Sequence, residues 1–199
     1  MRTRLVVVRH AEPDESVRHC IYGRLDPELS PEGAAHAEAI AAMLAGEMFA
    51  ALYTSPLRRA RATAEPLARR MGLEPVVVAD LRELDFGELE GLTLEEAATR
   101  YPVEATWFLS PATATFPGGE SVAALRTRVA AAIASIVERH EGEQVAVVTH
   151  AMPIRTILVD ALGMEPDLMF RFDLSYGSLT VVEWFEEKPF VRVVNAPRI

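Results

Sequence analysis

Cysteine and long apolar runs are both scarce in this sequence, and each scarcity excludes a class of protein. Cys20 is the single cysteine among 199 residues, so no disulfide can form within the chain and nothing points to an oxidising compartment. No apolar run approaches the roughly 18 residues that span a bilayer. The apolar stretch near the start, Leu5 to Val8, is too short for a signal peptide. We therefore expect a cytoplasmic protein without a membrane partner.

Positive charge is scarce as well. The chain has 20 lysines and arginines against 29 aspartates and glutamates, for a net charge of −9. Proteins that bind nucleic acid need a basic face for its phosphates, so we expect no nucleic-acid partner. A small anion held in a local basic pocket is still compatible with this charge.

What is present is typical of a folded domain. The chain is 50% apolar and 25% charged, which allows a large core. Neither an internal repeat nor a Gly/Ser linker divides it, so we predict a single domain over residues 1–199. The oligomeric state is left open, with a homodimer among the options.

Short apolar segments alternate with helical patterns along the chain. Strands are predicted at 3–8, 49–55, 75–80 and 143–150, with a closing hairpin at 178–185 and 190–195. Helices are predicted at 30–47, 56–71, 93–101, 121–140 and 153–162. This alternation indicates an α/β fold, a doubly wound and mostly parallel sheet with helices on both faces and an antiparallel strand at one edge.

Basic and imidazole groups follow three of the predicted strands. Arg9 and His10 end the first strand, His150 ends the fourth, and Arg58 and Arg59 come just after the second. In such folds, ligands bind at the carboxyl ends of the strands. Arginines there would bind phosphate oxygens bidentately, and a neutral imidazole can attack phosphorus to form a covalent intermediate.

Transfer of a phosphoryl group from an ester also needs a proton for the leaving alcohol. The segment "LRELDFGELEG" after the third strand offers four carboxylic acids, at Glu83, Asp85, Glu88 and Glu90. No two histidines have the i, i+4 spacing of a helical metal site, and the carboxylates lack a matching partner motif. We therefore expect neither a metal nor another cofactor, because arginines can balance the phosphoryl charge.

Four blocks together carry a resemblance that covers nearly the whole chain. They are "VVVRHA", "SPLRRARATAE", "LRELDFGELEG" and "VVTHA", in that order. In order and spacing they resemble the histidine phosphatase superfamily, the phosphoglycerate mutase-like enzymes. The resemblance implies the fold of that superfamily and phosphoryl transfer through a phosphorylated histidine.

Roles for individual residues follow from the resemblance. It implies that His10 is the phosphorylated nucleophile and that Arg9, Arg59 and His150 bind the phosphoryl group. The block S-x-L-x-R-A-x-x-T-A puts its arginine on Arg59, while Arg58 falls on a variable position. Glu83 matches the general acid/base, and Glu88 is the second candidate for the proton donor.

The chain departs from the family pattern at several positions. Alanines, Ala11 and Ala151, stand where the family usually has a glycine after each histidine, and Ser16 stands where an asparagine often binds phosphate. The loop "CIYGRLDPELS", with Tyr22 and Gly23, resembles the α-ribazole phosphatase branch. Besides the catalytic candidates, we expect substrate contacts from Ser16, Tyr22, Gly23 and Ala151.

Three functions fit these residues. The favoured one is a metal-independent phosphatase that hydrolyses a small phosphorylated metabolite. A phosphoglycerate mutase would use the same residues, but such mutases carry longer segments after the acid/base residue and at the carboxyl terminus. A non-catalytic phosphate-binding module would be expected to lack the nucleophile or the acid, and both are present here.

Overall fold

Strands and helices alternate along the described part of the chain, which comprises residues 2–186 and 188–197 of a computed structural model. The strands span Arg2–Arg9 (β1), Ala51–Thr54 (β2), Val76–Val77 (β3), Gln144–Thr149 (β4), Leu179–Phe185 (β5) and Lys188–Ala196 (β6). The α-helices span Pro31–Met43 (α1), Arg58–Met71 (α2), Leu94–Arg100 (α3), Val122–Arg139 (α4) and Ala151–Leu162 (α5).

The strands form one sheet in the order β3-β2-β4-β1-β5-β6. β1 and β4 are parallel neighbours, and β2 runs parallel to both β4 and β3. β5 pairs antiparallel with β1, and β6 pairs antiparallel with β5. The predicted α/β fold, with a mostly parallel sheet and a closing antiparallel hairpin, is confirmed.

β1 lacks polar alternation because both faces of the sheet are covered. Leu5 and Val7 belong to a core cluster shared with α4 and α5, while Val6 and Val8 belong to a second cluster with α1 and α2. All four side chains have no solvent exposure. Burying each contributes roughly 1.5–3 kcal/mol, so β1 is held firmly where it approaches its carboxyl end.

The third strand is much shorter than predicted. Residues 75–80 were expected to form it, but only Val76–Val77 pair, and their side chains are 44% and 50% exposed. β3 is an edge strand with β2 as its neighbour in the sheet, and β2 ends at Thr54. The ladder therefore stops there, and Ala79–Leu81 turn into a 3-10 helix that leads into the acidic segment.

Three helix boundaries also differ from the prediction. α2 begins at Arg58 rather than at residue 56, because Leu57 still has extended dihedral angles and takes the N-cap position. α1 ends at Met43 and is followed by a turn that contains Gly46, whereas the alanine-rich pattern predicted a helix to residue 47. α5 begins at Ala151, two residues before the predicted start, because His150 has extended dihedral angles and takes the N-cap position. The imidazole of His150 is therefore fixed at the junction of a strand and a helix.

The loop after β1 is held against the start of α1. The backbone N–H of Ser30 donates to the carbonyl of Glu12 at 3.0 Å, and the Ser30 hydroxyl caps the helix by accepting from Gly33 N–H at 2.9 Å. A Cβ at Gly33 would lie 2.0 Å from the Glu12 carbonyl oxygen. A glycine is thus required where α1 meets this loop.

Among the described residues, no helix has both the length and the apolar character that crossing a membrane would require. All six strands of the described residues belong to one sheet. The assignment of residues 1–199 to a single domain stays a prediction.

The contact at Gly33 leads to a prediction about stability. Gly33→Ala should lower the free energy of unfolding by about 1–3 kcal/mol, because the backbone must move to admit the methyl group. The matched control is Gly46→Ala, since a Cβ at Gly46 meets nothing within 4 Å. Thermal and denaturant unfolding should show the control within about 0.5 kcal/mol of wild type. Equal stability of the two variants would contradict the close contact.

Candidate active site

Two histidines meet where β1 and β4 end. Arg9 pairs with Thr149 in the parallel register, and the backbone N–H of His10 donates to the Thr149 carbonyl at 2.9 Å. Each histidine directly follows its strand, and the ring centroids of His10 and His150 lie 5.0 Å apart. Both side chains are buried. The sheet register therefore places two imidazoles side by side at the predicted edge.

One ring nitrogen of His10 is already engaged. Nδ1 lies 2.7 Å from the carbonyl oxygen of Ala11. A carbonyl can only accept a hydrogen bond, so the neutral ring carries its proton on Nδ1. Nε2 then holds the lone pair, which makes it the nucleophilic atom of this side chain.

His150 is oriented by a serine from the end of β2. Its Nε2 lies 2.6 Å from the hydroxyl oxygen of Ser55, which accepts from the backbone N–H of Leu57 at 3.3 Å. The other ring nitrogen, Nδ1, is buried and has no hydrogen-bond partner among the described residues.

Two arginines border the histidines, and each is anchored by loop carbonyls. Arg59 is fully buried and donates to the carbonyls of Gly23 and Leu25, each at 2.8 Å. Arg9 donates to the carbonyl of Leu174. In both arginines Nε is buried and has no partner within the described residues. None of these anchors uses Nε, so the Nε–H of each guanidinium stays available to a bound anion.

Burial and the positive charges nearby both favour the neutral form of the two histidines. Burial lowers the pKa of His10 well below its ordinary value, and the charges of Arg59 and Arg9 lower it further. The pKa of His150 is lowered for the same reasons, burial first and then the charge of Arg59. A neutral His10 retains the lone pair that nucleophilic attack requires.

Glu83 is a buried carboxylic acid beside this cluster. Its Oε1 accepts from the backbone N–H groups of Leu84 at 2.9 Å and Met152 at 3.2 Å. Burial raises the pKa of Glu83, while the Leu84 N–H and the charge of Arg59 oppose that rise. The net effect is a raised pKa, which increases the share of the protonated form, the form that can donate a proton.

The five predicted catalytic side chains are thus brought together, while Glu88 is not among them. Glu88 is exposed and accepts a hydrogen bond from the Tyr101 hydroxyl at 2.7 Å. The general-acid role of Glu83 stays a prediction. Glu83 differs from Glu88 in being buried and close to Arg59. Within residues 2–186 and 188–197, no group of three His, Cys, Asp or Glu side chains is placed to hold a metal ion.

The predicted substrate contacts occupy different positions. Gly23 is buried, its carbonyl holds Arg59, and a Cβ there would lie 1.8 Å from the Leu84 carbonyl oxygen. Ala151 is the first residue of α5. Ser16 is exposed, and its backbone N–H bonds to the Asp14 carboxylate at 3.0 Å. Whether any of the three contacts a substrate stays a prediction.

The predicted contact Tyr22 has a partner that sequence reasoning missed. The hydroxyls of Tyr22 and Tyr176 lie 2.7 Å apart. The Tyr176 ring lies 4.0 Å from the Arg9 guanidinium carbon and 5.5 Å from the His10 ring centroid. Tyr176 precedes β5, and because β5 is antiparallel to β1, its start lies at the edge where β1 ends. The predicted antiparallel hairpin could therefore have indicated that Tyr176 lies at this edge.

Glu90 is a second residue whose role was missed. Its carboxylate accepts from the backbone N–H groups of Arg24 at 2.6 Å, Leu25 at 2.7 Å and Phe86 at 3.3 Å. It therefore joins the loop that carries Tyr22 to the acidic segment that carries Glu83. In the sequence, Glu90 is one of four acidic residues in the same short segment, and no local feature distinguishes it from the others.

Comparisons with known proteins agree with this fold. The profile of the histidine phosphatase superfamily (branch 1) matches residues 5–197, so the chain belongs to that superfamily. It is 31% identical to a protein of Hydrogenobacter thermophilus named phosphoserine phosphatase 1, over 96% of this chain and 92% of that protein. The structure of mycobacterial glucosyl-3-phosphoglycerate phosphatase superposes with a TM-score of 0.90 at 27% identity, covering 98% of this chain and all of the other.

A third relative is considerably longer. The chain is 38% identical over 195 residues to a protein of Mycobacterium tuberculosis named as bifunctional, covering 97% of this chain but 54% of that protein. The chain thus spans about half the length of this curated relative.

The electrostatics predict how the histidines titrate. We expect His10 and His150 to stay neutral as the pH falls through their ordinary pKa of 6.5, because protonation would place charge in a buried site beside two arginines. Nitrogen chemical shifts in an NMR titration report both protonation and tautomer, with signals assigned from His10→Gln and His150→Gln. His10 should carry its proton on Nδ1. Titration of His10 at or above pH 6.5 would contradict the geometry.

Proposed function

We propose that this protein is a metal-independent phosphatase that hydrolyses a small phosphate monoester through a phosphohistidine on His10. One observation carries the proposal. Arg9 Nε, Arg59 Nε and His150 Nδ1 are buried polar nitrogens without partners among the described residues. Leaving a buried polar group unpaired costs about 1–3 kcal/mol. With the proton of His150 on Nδ1, all three nitrogens are donors, and three donors suit the three non-bridging oxygens of a phosphoryl group.

In the first half of the reaction, Nε2 of His10 attacks phosphorus and the bond from phosphorus to the ester oxygen breaks. Glu83 gives its proton to the departing oxygen, which leaves as an alcohol, and Glu83 becomes a carboxylate. The phosphorylated ring keeps its Nδ1 proton, and the Ala11 carbonyl stabilises the positive charge that the ring acquires. The three donors balance charge on the phosphoryl oxygens in the transition state, the task that a metal performs elsewhere.

In the second half, a water molecule attacks the phosphorus of the phosphohistidine. The Glu83 carboxylate takes a proton from this water, the bond between nitrogen and phosphorus breaks, and inorganic phosphate leaves. Nε2 recovers its lone pair and Glu83 is again protonated. One residue thus serves as acid and then as base, which its raised pKa favours.

The relatives support a phosphatase. Two proteins similar over nearly the whole chain are named phosphoserine phosphatase and glucosyl-3-phosphoglycerate phosphatase. Both names describe small phosphorylated metabolites, and we propose a substrate of that class here. Groups on the alcohol side would meet the loops that carry Tyr22 and Tyr176, at the edge of the sheet.

The nucleophile can be tested by trapping the intermediate. With EDTA present throughout, wild-type protein mixed with a phosphorus-32-labelled phosphate monoester should form an acid-labile phosphoryl adduct. His10→Ala should form none and should lose turnover. Peptide mapping of the adduct serves as the check, since an adduct on another residue, or one that persists in His10→Ala, would refute the assignment. Activity that EDTA removes and magnesium or zinc restores would refute the metal-independent mechanism.

The proton donor can be tested with two leaving groups. Glu83→Gln should slow formation of the phosphoenzyme from an alkyl phosphate by about 10²–10⁴-fold, the usual effect of a general acid. The loss should be smaller with p-nitrophenyl phosphate, because p-nitrophenolate leaves without a proton. Single-turnover kinetics measure both rates.

Glu88→Gln is the matched control, since Glu88 is exposed and bonded to Tyr101. It should change little with either substrate. Equal losses on both substrates in Glu83→Gln, or a larger loss in Glu88→Gln, would assign the proton to another group.

A further inference from the structure

Arg128, on α4, uses its guanidinium to hold a short stretch of backbone. Its Nη1 donates to the carbonyls of Asp80 at 2.7 Å and Arg82 at 2.8 Å, and its Nη2 donates to the carbonyl of Glu83 at 3.0 Å. The side chain is only 11% exposed. Three carbonyls within four residues thus converge on one cation, and the last belongs to the candidate proton donor.

Glu120 completes this arrangement from the residue before the N-cap of α4. Its carboxylate accepts from both Nε and Nη2 of Arg128. The same carboxylate accepts from the backbone N–H of Asp85 at 3.1 Å, and the Glu120 N–H donates to the Asp85 carbonyl at 3.0 Å. Arg128 and Glu120 therefore hold the backbone on both sides of Glu83.

The same stretch is tied to the sheet beside the histidines. The hydroxyl of Thr149, the last residue of β4, donates to the carbonyl of Leu81 at 2.6 Å. Glu83 itself is held through its carboxylate by two backbone N–H groups. Its backbone position relative to His150 is therefore set by Thr149 from one side and by Arg128 with Glu120 from the other.

We propose that Arg128 is a positioning residue for proton transfer, acting through the backbone of Glu83. This proposal rests on the proposed function, since it assumes that Glu83 protonates the leaving oxygen. An acid must lie within hydrogen-bond reach of the oxygen that it protonates, and a displacement near 1 Å can cost about 10²-fold in rate. Rigid guanidinium geometry with charge-assisted bonds limits such displacement.

The experiment compares an alkyl phosphate with p-nitrophenyl phosphate on each variant preparation. The ratio of their kcat/KM values does not depend on the fraction of folded protein, because both substrates are measured on the same sample. A role in stability alone would leave this ratio unchanged. Arg128→Met should lower the ratio of alkyl to aryl activity by about 10–100-fold, in the same direction as Glu83→Gln.

Two further variants sharpen the test. Arg126→Met is the matched control, because Arg126 is on the same helix, is 43% exposed and pairs with Asp160 rather than with the acidic segment. It should leave the ratio unchanged. Arg128→Lys keeps the charge but not the fork of donors, so it should recover part of the ratio lost in Arg128→Met. Combining Arg128→Met with Glu83→Gln should lower the ratio no further than Glu83→Gln does alone.

The outcomes separate this proposal from the function on which it rests. If Glu83→Gln lowers the ratio but Arg128→Met slows both substrates equally, the positioning role is wrong and the proton donor stands. If Glu83→Gln leaves the ratio unchanged, both proposals fail together. Should Arg128→Met yield no folded protein, Glu120→Gln takes its place, because it removes the negative charge that pairs with Arg128. An unchanged ratio in Glu120→Gln would overturn the positioning role.

Discussion

The parallel pairing of β1 with β4 is the constraint on which the site depends. Its register aligns Arg9 with Thr149, so the residues that follow, His10 and His150, leave the sheet side by side. Both strands are buried on both faces, and their apolar side chains resist any slip in register. A shift of one residue in this register would turn these side chains to the opposite faces of the sheet and would separate the two imidazoles.

Burial gives the site two opposite protonation states in one place. The same low-dielectric surroundings lower the pKa of His10 and raise the pKa of Glu83, because each change removes a charge. The nearby arginines strengthen the effect on His10 and weaken it on Glu83. The two shifts favour a neutral imidazole and a more readily protonated carboxyl group in one site, which is the combination that the proposed acid-assisted attack on an ester requires.

Arginines act here as much on backbone as on charge. Arg59 holds the carbonyls of Gly23 and Leu25, Arg128 holds three around Glu83, and Arg155 on α5 holds those of Met169 and Phe172. Each joins a loop at the edge of the sheet to a helix. Loops supported in this way keep their functional groups in place, which a catalytic arrangement requires.

Local pattern was enough to predict the parallel sheet, its antiparallel hairpin and the gathering of His10, His150 and the arginines at one edge. Strand ends are decided by residues near in sequence, and parallel strands share one carboxyl edge. The predicted extent of β3 was wrong because the length of a strand depends on the neighbour with which it pairs. An edge strand has such a neighbour on one side, so β3 stops where β2 stops.

The contacts of Tyr176, Glu90 and Arg128 could be decided only by tertiary structure. Each acts on residues distant in sequence: Tyr176 reaches Arg9 and Tyr22, Glu90 reaches the loop after Tyr22, and Arg128 reaches the backbone of Glu83. A hydrogen bond across the fold leaves no periodicity in the chain, and a charged residue that makes one has the same local pattern as a solvated residue. The sequence by itself therefore determined which groups lie at the edge of the sheet. The folded chain decided their protonation, their orientation and the contacts that hold them.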